Sequence, residues 1–150
     1  MPPARCRRPL ALQRVLFDRA DGVVRAVSDT WKAEFAAAGA SFVPFLGSDA
    51  PRNLPVQFRL RSAAVGGQAL DLGRGMPEQV GTSVMIPHGS VREEYATSVA
   101  GIEQRFVFAT LPQRSAVTVD IGVEGEFAVR AQDGAFVFEH ALGSFRYGRA

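Results

Sequence analysis

The chain has 150 residues, 47% hydrophobic and 21% charged, with a net charge of +2. That balance excludes a disordered chain and suits one globular domain able to bury a core without crosslinks. Cys6 is the only cysteine, which excludes an internal disulfide, and so small a net charge predicts no nucleic-acid partner.

Arginine supplies nearly all the positive charge, Lys32 being the only lysine. Together with abundant alanine and glycine, this reads as a GC-rich genome rather than a binding surface. The one basic cluster, Arg5, Arg7 and Arg8 with Arg14 nearby, falls in the N-terminal tail. No run reaches the roughly 18 apolar residues of a membrane helix, so no membrane span is expected. The stretch from Pro9 to Phe17 is broken by Gln13 and Arg14, and no small-residue cleavage site follows it, so it is not read as a signal peptide.

Residues 1–22 form a tail or first element, and 10–19 suit a short helix as well as a strand. Asp21-Gly22 is a turn signal, and Val23 to Val27 reads as extended. From Thr30 a two-residue period takes over, with Trp31, Ala33 and Phe35 on one face and Lys32 and Glu34 on the other. Ser41 to Leu46 predicts a second strand, with Pro44 at an edge or bulge because proline cannot donate to a ladder. Leu54, Val56, Phe58 and Leu60 form a third strand, Gly66-Gly67 turns, and Gln68 to Leu72 makes a short strand back. Residues 73–81 are the longest loop. Val84 and Ile86 belong to a strand ending at Pro87-His88-Gly89-Ser90.

In the second half Val91, Glu93, Tyr95, Thr97 and Val99 share one face, as do Ile102, Gln104, Phe106 and Phe108. Val117, Val119, Ile121 and Val123 alternate without error, which predicts the strongest strand and the spine of one sheet. Phe127 and Val129, Phe136 and Phe138, then Phe145 and Tyr147 complete the pattern. The chain stops at Ala150 while that pattern is still running, which suggests a domain over 23–150 truncated at its C-terminal end. Turn signals about every 8 to 12 residues predict an all-β fold. The expected architecture is a two-layer antiparallel β-sandwich, jelly-roll or Ig-like, with room for one short N-terminal helix.

His88 and His140, the only histidines, read as a turn residue and a strand-end residue, and no metal site or cofactor is expected. No G-x-S-x-G elbow occurs. Glu94 and Glu103 point outward beside Arg92 and Arg105, and Glu93 reads as an edge residue or a register slip rather than a buried acid. Gln104, on an apolar face, is expected to hydrogen-bond backbone or Glu93. Gly66-Gly67 and Gly73-Arg74-Gly75 read as loop flexibility rather than a phosphate cradle. Trp31, Tyr95 and Tyr147 could form a sugar-stacking platform, but their alternation assigns them to the core.

Thr30-Trp31-Lys32-Ala33-Glu34-Phe35, Phe42-Val43-Pro44-Phe45-Leu46-Gly47 and Ala50-Pro51-Arg52-Asn53 resemble the opening of certain bacterial domains. These are uncharacterised β-rich N-terminal domains of large exported proteins that continue into propeller or other β-repeats. Glu94-Tyr95, Gly101 to Phe108 with Leu111-Pro112, and Phe145 to Gly148 are similar to later segments of such domains. The resemblance implies a secreted or cell-surface location, with neighbouring modules of the same polypeptide or surface proteins as partners. It carries over no catalytic residues.

The leading expectation is therefore a non-catalytic structural or interaction module with a flat exterior. The alternative is a carbohydrate-binding module using Trp31, Tyr95 and Glu93. An enzyme built on Glu93 and Glu103 would need both carboxylates in one cleft.

Overall fold

The computed structural model describes residues 14–148. The Arg5, Arg7 and Arg8 cluster, Cys6 and residues 10–13 of the first element lie outside them, as do Arg149 and Ala150.

Among the described residues there are only strands, paired antiparallel in three sheets. The first sheet runs through β1 (Leu16–Ala20), β2 (Val23–Val27), β3 (Trp31–Ala36), β4 (Gly39–Pro44) and β5 (Val56–Val65), with β6 (Gln68–Ala69) paired to β5. The second is the meander β7 (Glu78–Val80), β8 (Ser83–His88), β9 (Val91–Ser98) and β10 (Gly101–Phe108). The chain then returns as β11 (Val117–Glu124) to close against β5, and the third sheet follows as β12 (Ala128–Gln132), β13 (Ala135–His140) and β14 (Gly143–Tyr147).

Tight turns join strands of the first and third sheets. The strands on either side of Asp21-Gly22, Gly66-Gly67 and Asp133-Gly134 pair across two-residue loops. Both residues of each loop have positive φ, the geometry that matches strand twist and favours Asp-Gly and Gly-Gly. Pro44 ends β4 opposite Trp31, while β5 pairs with β4 only over Ala40–Phe42, so no ladder donor is needed from it.

One face of the first sheet contributes to two apolar clusters. Val24, Ala26, Trp31, Ala33, Phe35 and Ala40 pack with Val84, Ile86 and Tyr95 of the second sheet. Farther along, Leu54, Val56 and Phe58 pack with Phe127 and Phe138, flanked by Phe145 and Tyr147 of the third. The apolar row on β5 changes parity from Val56 and Phe58 to Ala63 and Val65. A bulge makes that possible: the β5–β11 pairing skips Arg61 between Asp120 and Ile121.

The expected spine is corrected here. β11 is the edge strand of the first sheet; Ile121 packs against the cluster around Phe127 and Phe138, but Val117 and Val123 are left 42% and 43% exposed. Regular alternation shows that one face of a strand is apolar but does not locate the strand within its sheet. The first element is a strand from Leu16 onward.

Candidate functional site

The second and third sheets meet in a small region built from β8, β9, β10 and β14. On β8 the side chains of Val84, Ile86 and His88 face inward, and His88 pairs with Val91 across Gly89-Ser90. On β9 the inward row is Val91, Glu93, Tyr95 and Thr97. Gln104 of β10 lies opposite Tyr95, and Phe106 opposite Glu93. His88 and Gln104 are thus both diagonal neighbours of Glu93, within reach of its carboxyl group.

Glu93 is fully buried, which corrects the expectation of an edge residue or register slip. The register is the one the alternation implies, and the acid is tolerated because both carboxyl oxygens are engaged. Oε1 lies 2.7 Å from His88 Nε2, and Oε2 accepts hydrogen bonds from the Tyr95 hydroxyl and, at 3.0 Å, from Gln104 Nε2. Gln104 Nε2 also donates to Tyr95 Oη at 3.1 Å, and the Tyr147 hydroxyl donates to Gln104 Oε1 at 2.9 Å. The expected bond from Gln104 to Glu93 is present. Among the described residues no buried side-chain polar atom lacks a partner.

His88 is not a turn residue; it is buried at the end of β8, with Nδ1 3.2 Å from the Gly73 carbonyl oxygen. A carbonyl can only accept, so Nδ1 carries a proton. The short Nε2–Oε1 contact then needs one further proton between the two groups, and the pair is neutral as a whole. That neutrality makes its burial affordable, since an isolated ion would lose several kcal/mol of solvation.

The Gly73 carbonyl is held in place by close backbone packing. A Cβ on Gly73 would lie 3.2 Å from Gly89 N, and one on Gly75 would collide with Pro87. These two glycines allow close approach to the β8–β9 turn, which corrects their reading as loop flexibility. His140 sits at its strand end, where Nδ1 accepts the Leu142 amide at 3.1 Å.

Burial pushes the Tyr95 phenol far above its ordinary value, and the nearby Glu93 adds to the shift. Tyr147 is raised for the same two reasons, burial first. Both phenols therefore keep their protons and act as donors.

In front of this network opens a cleft of about 340 Å³. Its walls are Trp31, Phe35, Phe42 and Phe58 of the first sheet, with Ile102 of the second and Phe145 of the third. Tyr95, Gln104 and Tyr147 also line it. Ring contacts tie the junction together: Phe35 to Tyr95 at 4.8 Å, Phe58 to Tyr147 at 5.3 Å and Phe42 to Phe145 at 5.2 Å. At one end the β2–β3 loop is clamped to the β9–β10 turn: Ser28 and Thr30 hydroxyls donate to Val99 O, and Trp31 Nε1 donates to Ser98 O. A second hollow of about 320 Å³ shares Trp31, Pro44 and Phe45 and is lined by Asp29, Lys32 and Arg52.

The structure brings together all three residues of the carbohydrate alternative, though not as a platform. Trp31 and Tyr95 are 2% and 3% exposed and form the cleft's inner wall, while Glu93 lies behind Tyr95. Glu103 is on the opposite face of β10, bonded to Arg105 at 2.7 Å, as Glu94 is to Arg92. The two carboxylates of a glycosidase-like pair therefore do not share a cleft. Among the described residues no group of three or more histidine, cysteine or acidic side chains could hold a metal ion, and no helix is long and apolar enough to cross a membrane.

Sequence reasoning missed His88, although its spacing from Val84 and Ile86 was the signal that could have found it. It also gave no sign of the cleft, which depends on how the sheets meet. Compared with known proteins, the chain matches no family model, no curated protein and no solved structure.

Proposed function

We propose that this domain is a non-catalytic binding module and that its working surface is the three-sheet cleft. The first sheet forms one layer of a β-sandwich, with the second and third sheets side by side as the other. On the resemblance noted above, the module belongs to a larger exported or cell-surface bacterial protein. The observation that carries the proposal is the cleft itself: aromatic walls from all three sheets enclosing one polar end, at a volume within the usual range of small-molecule sites.

A purely structural spacer has no need of such an opening. A catalytic role finds little support, because the one buried acid among the described residues has both carboxyl oxygens engaged by its neighbours and no second carboxyl group beside it. Carbohydrate is the weaker ligand class. A sugar surrounds its ring with hydroxyl groups, whereas most of this wall is carbon, and each buried hydroxyl without a partner costs about 1–3 kcal/mol.

Ligand-observed NMR with a mixed panel of neutral oligosaccharides and small aromatic or aliphatic compounds tests the reading. The whole chain is compared with Ile102→Trp, which places a larger side chain in the cleft from an edge strand. Compounds that bind the natural protein and are lost from the variant support the proposal. If nothing in either class binds, or binding is the same in both proteins, the cleft is not the working surface.

A further inference from the structure

We infer that β11 is an interface strand and that it pairs antiparallel with β11 of a second copy of this chain, Ile121 lying opposite the partner's Ile121. No β11 residue lines the cleft, and the pairing does not depend on what the cleft binds.

Edge strands are ordinarily blunted by shortness, basic side chains or proline. The other edge strands of the three sheets follow that rule: β7 has three residues, while β1, β10, β12 and β14 carry Arg19, Arg105, Arg130 and Arg146. β11 is the exception, eight residues with no basic side chain and no proline. Its backbone bonds to β5 on one side only. Ala116 O accepts from Gly66 N, whereas Ala63, opposite Val119, gives its carbonyl to Leu70. Bond direction alternates along a strand, so the N–H and C=O groups of Val117, Val119, Ile121 and Val123 face away from β5. Among the described residues no strand pairs with them there. The same four side chains form the apolar face of β11, with Val117 and Val123 exposed.

A second β11 fits this edge when its own valines and isoleucine stand opposite these four, which joins the apolar faces and bonds the outward backbone groups. Charge then selects the register. With Val119 opposite the partner's Ile121, the two Asp120 carboxylates would face each other, which is destabilising. With Val119 opposite itself, the paired segment shortens. With Ile121 opposite the partner's Ile121, Val119 meets the partner's Val123 and Asp120 meets the partner's Gly122. That glycine is where Arg61 lies: a Cβ on Gly122 would collide with the Arg61 guanidinium, so Arg61 reaches from β5 across β11 toward the open side. Among the described residues Arg61 has no carboxylate within ion-pair distance. The partner's Asp120 supplies one, and two-fold symmetry forms the pair twice.

One strand pair buries little area, so analytical ultracentrifugation of the whole chain is carried up to about 1 mM. The chain should form a concentration-dependent dimer, and the amide protons of Val119, Ile121 and Val123 should exchange more slowly as dimer accumulates. Val119→Pro removes an outward N–H, so it should leave the β-sheet circular dichroism signal intact while weakening the dimer at least about 10-fold. Arg61→Asp and Asp120→Arg, both on the exposed face, should each weaken it roughly 3-fold or more, and the two together should restore it. A chain that stays monomeric throughout, its edge left to residues 1–13 or to a strand of another module, overturns the inference. So does a dimer that none of these variants weakens, because it uses another surface. A dimer weakened by Val119→Pro but not rescued by the double charge reversal overturns the register.

Discussion

Removing the Glu93 carboxyl group would leave His88, Tyr95 and Gln104 facing a small void, each with a polar group cut off from water. Glu93→Ala should therefore cost about 3–5 kcal/mol of stability, as expected when one partner of a buried pair is lost. Glu93→Gln keeps the shape and most of the hydrogen bonds and should cost roughly half as much or less. Urea unfolding of the two variants checks this; since only the alanine variant opens a void, equal losses would mean that the polar network rather than the void sets the cost. The two-residue period set Glu93 between Val91 and Tyr95, but a lone acid in an apolar row reads as an edge residue or a register slip, and its burial was not legible without its partners. Its partners were only partly legible. Gln104 followed from the same period, His88 was lost to a strand end placed two residues too early, and Tyr147 comes from another sheet, which no local pattern can reveal.

At the scale of elements, the turns and alternation carried most of the fold. Asp21-Gly22, Gly66-Gly67 and Asp133-Gly134 all form the tight hairpins their composition demands. Gly39, which opens β4, has φ +134, and a Cβ there would collide with the Phe58 carbonyl oxygen across the sheet. Gly39→Ala should destabilise the protein by more than about 1 kcal/mol, whereas Gly101→Ala, with open space around it and ordinary φ, should change little. Thermal unfolding of both variants measures the contrast. What the elements hid was their place in the sheets. β11 reads as a buried strand because one of its faces is fully apolar, yet it is the edge strand of its sheet, with Val117 and Val123 exposed at its two ends. The bulge at Arg61 was equally hidden: it shifts the period of β5 by one residue, and the cause lies in pairing with a strand far along the chain.

For the molecule as a whole, the junction of three sheets makes its only two tyrosines reporters of global integrity. Tyr95 and Tyr147 both have phenols raised above their ordinary value in the folded state, so above about pH 10 the unfolded chain releases protons that the native protein retains. Their contribution to stability is complete below that pH and is lost as the pH rises through and beyond it. Absorbance at 295 nm should therefore stay low past pH 10 and rise together with loss of the β-sheet circular dichroism signal. A smooth titration near pH 10 with the fold intact would contradict the burial of both rings. Connectivity at this scale has a kinetic consequence. Every strand pairing joins chain neighbours except β5 with β11, whose strands are separated by the whole second sheet. The hairpins can form early, each across a short loop, while the β5–β11 clasp must close a loop of some fifty residues at an entropic cost of about 3 kcal/mol. Until that clasp forms, the growing chain exposes β5 as an open edge, the interval in which a second chain can pair there instead.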